Sequence, residues 1–162
     1  MAMDELSWRP LDESDHEPVL ATLSAWSRGR DFHALLPRLF FAHFSDTSLI
    51  VEDAEGNLAG FIITFVSQTQ LRTGYVHFVW VSPQLRRQGL ARQLYERVFV
   101  LLRDRGCRRV EAVTIPENSA SLAFHERMGF TAKGRGGSPF EAPVVADHAG
   151  PGEHRVVLER DL

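Results

Sequence analysis

An α/β fold built on a mixed sheet is what this chain predicts, and three observations carry it. Apolar runs of strand length, 49–51 and 58–66, sit on either side of a short polar turn. A β-rich run, 75–81, then leads through a basic glycine-containing turn into an amphipathic helical pattern that continues to about Arg105. A further strand pattern, 109–113, follows that helix. Strand, helix and strand in this order make a parallel, right-handed crossover, and strands grouped before it add antiparallel partners.

The elements follow in chain order. Residues 6–11 alternate and meet Pro10, so they form a short edge strand. Asp12 or Ser14 can cap a first helix whose apolar residues Val19, Leu20, Leu23 and Trp26 share one face. Arg28-Gly29-Arg30 breaks it, and a second helical stretch is expected near 33–43, burying Leu35, Leu36, Leu39 and Phe40. The polar stretch 53–57 reads as a hairpin turn between the next two strands, and Phe61-Ile62-Ile63, apolar on both faces, marks a covered strand. After 75–81 the long helix aligns Leu90, Leu94, Val98, Leu101 and Leu102, and Gly106 ends it. Asn118 caps a later helix carrying Ala120, Ala123, Phe124 and Met128, closed by Gly129. Residues 134–152, rich in Gly and Pro, read as a long loop, and 154–159 as a final strand.

The 162 residues suit a single domain, with 44% hydrophobic and 24% charged residues. A formal net charge of −3 gives no general attraction to nucleic acid or anionic membranes. The single cysteine, Cys107, excludes an internal disulfide and suits a reducing compartment. With no leader pattern and no apolar run of membrane length, the expectation is a cytoplasmic protein.

Two segments carry chemistry. The first is Val81-Ser82-Pro83-Gln84-Leu85-Arg86-Arg87-Gln88-Gly89-Leu90-Ala91. The first amides of a helix lack internal partners and sit at the positive end of its dipole, which suits a phosphate. Gly89 and Ala91 let an anion approach the backbone, and Arg86, Arg87 and Arg92 bring charge to it. The alternative is an ordinary strand-to-helix turn with solvated arginines. The Lys-Ser/Thr of a P-loop and the further glycines of a dinucleotide fingerprint are absent. The second segment is Asn118-Ser119-Ala120-Ser121-Leu122-Ala123-Phe124-His125-Glu126-Arg127-Met128-Gly129-Phe130.

Together these segments resemble the signatures of the GNAT superfamily of acetyl-CoA-dependent N-acetyltransferases. The first is similar to that family's pyrophosphate loop, as Arg86-x-x-Gly89-x-Ala91; the second is similar to its late helix, except that His125 stands where the family has Tyr. The resemblance implies a GNAT-type mixed sheet with helices flanking the βαβ cofactor unit, acetyl-CoA as co-substrate and no metal. It places the pantetheine arm along Val79 and Val81, and the pyrophosphate on Arg86, Arg87, Gln88, Gly89, Leu90, Ala91 and Arg92. Asn118, Ser121 and Phe124 complete the cofactor contacts it implies, with helix capping the competing role for Asn118. Arg127 either reaches the adenosine phosphates or pairs with a carboxylate on a solvated face.

An attacking amine must first be neutral, which for a lysine-like amine costs about 4.6 kcal/mol at pH 7. His77 is the first candidate base, sharing one side of its strand with Tyr75, Val79 and Val81 if alternation holds; Tyr75 could instead hold a water. The competing role for His77 is a partly buried ring satisfied by a carbonyl. The oxyanion needs a donor, expected from the backbone amide near Val81. His125 takes the position of the thiolate-protonating tyrosine, with a surface role for it, or water or Tyr95 as the acid, left open. The resemblance puts the acceptor against Trp26, Phe32 and His33 in and after the first helix, with Arg28, Asp31, Leu36 and Phe40 nearby. The expected partner is a small-molecule or peptide amine, without nucleic acid or membrane, and a homodimer is compatible with this reading. Two other classes remain: a non-catalytic acyl-CoA-binding or regulatory module, and a nucleotide-binding protein using the same loop.

Overall fold

The structure, a computed structural model, describes residues 5–133 and 143–162. Among the described residues seven strands lie in the order β1 (Ser7–Pro10), β2 (Leu49–Glu52), β3 (Leu58–Val66), β4 (Thr73–Val81), β5 (Arg109–Thr114), β7 (Val156–Asp161) and β6 (Thr131–Ala132), mixed as expected. Two compact units divide the chain: one runs to Phe65 and takes in Phe78–Arg105, the other holds Val66–His77 and the chain from Gly106 onward.

In the first unit β1 (Ser7–Pro10) pairs antiparallel with β2 (Leu49–Glu52), and β2 with β3 (Leu58–Val66). Asp12 caps a 3-10 turn that leads into α1 (His16–Trp26), its carboxylate accepting from the Ser14 amide. Arg9 binds Asp15 and Glu52 at 2.8 Å each, tying β1 to that turn and to β2. Val19, Leu20 and Leu23 of α1 are buried with Leu11, Phe32, Leu36, Phe41, Ile50, Phe61 and Ile63, and Trp26 packs at the margin. Arg28 and Gly29 take positive φ and end the helix where the sequence predicts a break.

The second helix is shorter than expected. α2 covers only Arg38–His43, after Pro37. Proline drives its predecessor away from helical ψ, so 33–36 cannot join a continuous helix. That stretch turns instead, with the Leu36 amide donating to the Phe32 carbonyl at 2.8 Å. Leu36 is buried, but Leu35 and Leu39 are exposed rather than part of the core. In the hairpin turn the Asp53 carboxylate accepts from the amides of Glu55 and Asn57.

β4 (Thr73–Val81) leads through a 3-10 turn (Pro83–Leu85) to α3 (Leu90–Asp104). Leu90, Leu94, Val98 and Leu102 are buried as predicted; Tyr95 and Phe99 join them and Leu101 is half-buried. Gly60 lets α3 lie close to β3: a Cβ there would stand 3.0 Å from the Trp80 carbonyl and 3.4 Å from a Leu90 methyl.

In the second unit the early part of β4 pairs in parallel with β5 (Arg109–Thr114), and β5 pairs antiparallel with β7 (Val156–Asp161). Regular strand thus begins two residues later than expected, after an isolated bridge from Arg155 to Val145. A two-residue β6 (Thr131–Ala132), which the sequence does not announce, pairs with β7. Of the expected loop 134–152, residues 134–142 lie outside the described residues. α4 (Ser119–Arg127) stands between β5 and β6 in the chain.

Candidate active site

In the first unit the turn before α3 bends through two residues of left-handed backbone. Arg87 and Gly89 both take left-handed φ, 65° and 90°. The Gln88 amide donates to the Leu85 carbonyl, whereas no backbone acceptor among the described residues meets the amides of Arg87 and Gly89. A Cβ on Gly89 would meet nothing within 4 Å, so the space above it is open. Beside the turn, Val79, Trp80, Val81, Arg86 and Ala91 line a shallow groove of about 230 Å³. Arg86 lies over Trp80, its guanidinium carbon 5.8 Å from a ring centroid. The buried Trp80 indole N–H has no acceptor among the described residues. Arg92 is less available than expected, because its guanidinium is paired with Glu96 at 2.7 Å. Gln88 folds back, donating from its amide to the Gln84 carbonyl. Leu90 is fully buried, so only its backbone can serve a ligand. Open amides, an unobstructed glycine and a nearby guanidinium fit a pyrophosphate.

In the second unit Tyr75 and His77 are both half-buried on β4. Tyr75 stands in register with Glu111 of β5, a buried carboxylate bound by Lys133 at 2.6 Å. Burial first, then the Glu111 charge, pushes the Tyr75 hydroxyl above its ordinary ionisation range. Neither Glu111 nor Lys133 stood out from the sequence. The only signal was a lone carboxylate in an otherwise apolar strand pattern, with its cation 22 residues away.

At α4 the Asn118 side chain accepts from the Ser121 amide, so the predicted cap forms. His125 is not a surface residue: it is 5% exposed, edge-on to Phe124 and Phe130. Its Nδ1 lies 2.8 Å from the Ser121 carbonyl and therefore carries the proton it donates. Burial, partly offset by that bond, pushes the ring below the ordinary histidine range, so it is neutral at pH 7. A neutral ring with its proton on Nδ1 has a lone pair on Nε2, which accepts rather than gives protons. Tyr95 is no better as an acid, since complete burial pushes its ionisation far up.

The acceptor candidates separate. Phe32 packs edge-on against Phe78 and Trp80, with ring centroids 6.0 and 5.5 Å apart, and Arg30 lies over it at 4.9 Å. Trp26 instead lines a cavity of about 550 Å³ with Thr22, Ser82, Gln84 and the acidic Asp15, Glu52, Asp53 and Glu55. His33 is exposed and bound to Asp31 at 2.5 Å.

The chain belongs to the GNAT acetyltransferase family, whose family model matches residues 2–130. A diaminobutyric acid acetyltransferase of Chromohalobacter salexigens is 31% identical over 90 residues, covering 56% of this chain and 47% of that protein. A mycothiol acetyltransferase of Beutenbergia cavernae is 32% identical over 83 residues, covering 51% of this chain and 27% of that protein. The chain thus spans about half or less of the length of these curated relatives. Among solved structures, Ard1 from Thermoplasma volcanium superposes with a TM-score of 0.76 at 15% identity, covering 98% of each chain. The NatC complex bound to Gag peptide and CoA superposes with a TM-score of 0.72 at 22% identity, covering 98% of this chain and 99% of that one. The fold is therefore that of the GNAT acetyltransferases. Among the described residues no helix is long and apolar enough to cross a membrane.

Proposed function

We propose that this protein moves the acetyl group of acetyl-CoA to a primary amine by direct attack within a ternary complex. The observation that carries the proposal is the turn 86–91, where open space over Gly89 meets amides without backbone acceptors at the start of α3. Arg86 leaves the Trp80 face to pair with the pyrophosphate, and the amides of Arg87, Gly89, Leu90 and Ala91 bind its oxygens, that of Gln88 being taken by the Leu85 carbonyl. The pantetheine arm lies along Val79 and Val81, and the Val81 amide donates to the developing oxyanion. In the second unit Asn118 keeps its cap at the start of α4.

His77 or a water held by Tyr75 takes the proton from the amine nitrogen. His125 orients the departing sulfur as a neutral ring, and water supplies the thiol proton; a thiol that ionises near 8.5 leaves readily. The acceptor is a small-molecule or peptide amine. Phe32 is 3% exposed and can only back an acceptor through Phe78 and Trp80, whereas half-buried Trp26 lines an open cavity.

Thermal shift with acetyl-CoA, CoA and ATP, followed by thiol release with a mixed amine library, tests the proposal. Acetyl-CoA at 100 times its Kd stabilises by about 2.7 kcal/mol. Stabilisation by ATP without stabilisation by CoA rejects the cofactor assignment. Stabilisation by acetyl-CoA without thiol release from any amine favours a non-catalytic acyl-CoA-binding module.

A further inference from the structure

Across the second unit, Tyr75, Glu111, Glu159 and Thr131 stand opposite one another in successive strands, from β4 through β5 and β7 to β6. Lys133 follows β6, and its ammonium lies 2.6 Å from Glu111 and 3.2 Å from Glu159. Arg109 reaches Glu159 at 3.9 Å, and Arg155 is the cation whose charge acts on Tyr75 against that of Glu111. A carboxylate buried on a central strand is costly unless its charge is matched. Here one ammonium is shared between two carboxylates, and the first of them is the lateral neighbour of Tyr75.

We propose that Glu111, paired with Lys133 and in register with Tyr75, is a positioning residue for acyl transfer, acting through the Tyr75 hydroxyl and a water bound to it. The inference rests on the acetyltransferase reading. When the amine attacks, an N–C bond forms, the nitrogen becomes cationic and the carbonyl oxygen anionic. The N–H proton passes to the water that Tyr75 and Glu111 orient. Collapse of the oxyanion then breaks the C–S bond, and the proton gained by solvent is returned to the thiolate, so amine and thioester become amide and thiol. A fixed carboxylate beside this nitrogen stabilises its charge when that charge appears, and keeps the phenol protonated so that it can hold the water.

The chain has two tyrosines, and Tyr95 is fully buried, so the earlier tyrosinate transition in an absorbance titration belongs to Tyr75. Glu111→Gln should move that transition down and lower kcat by about 10²-fold, with the KM for acetyl-CoA unchanged. Glu111→Asp should restore part of the rate. Lys133→Met leaves the carboxylate and removes its neutralising cation, so it should move the transition up. Opposite shifts are not expected of a purely structural role. Shifts of the same sign, no shift in either variant, or a wild-type kcat in Glu111→Gln would overturn the proposal. If Glu111→Gln does not fold, Lys133→Met and Glu111→Asp decide: an unmoved transition in the first, or a loss of rate in the second as large as truncation to Ala, overturns it. Wild-type protein that releases no thiol with any amine removes the acetyltransferase reading, while the two titrations still score the coupling.

Discussion

Replacing Gly89 by alanine separates a cradle from an ordinary turn. At φ 90° an L side chain is strained, which costs about 1–2 kcal/mol. No steric term adds to this, because the new methyl meets nothing within 4 Å. For a chain of this size the melting temperature should fall by about 2–8 °C, leaving the fold intact. The methyl does, however, enter the space where a phosphate oxygen would sit. Losing one hydrogen bond to a charged group removes about 1.5–3 kcal/mol, so the acetyl-CoA Kd should rise about 10- to 150-fold. Ala91→Glu adds like charge at the same place and should abolish binding. Calorimetric titration with acetyl-CoA reads both variants. An unchanged Kd in both would refute the cradle, however well the proteins fold.

Further outcomes follow from the same geometry. His77→Ala should lower kcat/KM by about 10²–10⁴ if that ring is the base, and the acidic limb of the pH–rate profile should go with it. Tyr95→Phe should keep the wild-type rate and pH profile, since a fully buried hydroxyl whose ionisation is pushed up cannot serve as the acid. His125 is neutral when folded and held below the histidine range by burial, so the unfolded chain binds its proton more readily. Stability from this group is therefore complete above about pH 6.5 and lost as pH falls below it. Melting curves at pH 7.5 and 5.5 should converge in His125→Gln relative to the wild type. Gly60→Ala should cost about 1–3 kcal/mol by pressing on the Trp80 carbonyl and Leu90, measurable by urea denaturation.

Much of the fold was legible because period and punctuation agreed. The stripe on α3, the turn at Asp53 and the cap at Asn118 each rest on contacts within a few residues, so local sequence specifies them. The second helix was overread, since Leu35 and Leu39 mimic a buried stripe while Pro37 splits it. β6 escaped because two residues cannot show a period, and only pairing with β7 defines them. In the site, the conformation of the turn 86–91 was readable because it is set by consecutive residues around Gly89. Glu111 was not, because its meaning comes from Tyr75 and Lys133, brought beside it by strand register. The burial of His125 was likewise invisible; its neighbours Phe124 and Phe130 read simply as apolar positions.

The two outer strands bear on how this sheet behaves in a crowded solution. β1 is four residues long and ends in a proline, and β6 has two residues. Among the described residues, one edge is cut short by a residue with no N–H and the other offers a neighbouring chain few groups to grip. The Arg9 guanidinium, engaged by both Asp15 and Glu52, also puts polar, charged groups along the first of these edges. Sequence changes that lengthen β1, such as Pro10→Val, would add a backbone donor at that edge and invite strand-to-strand association between copies. Such a change would leave the core untouched, since Pro10 is exposed, and association would run through a single added amide.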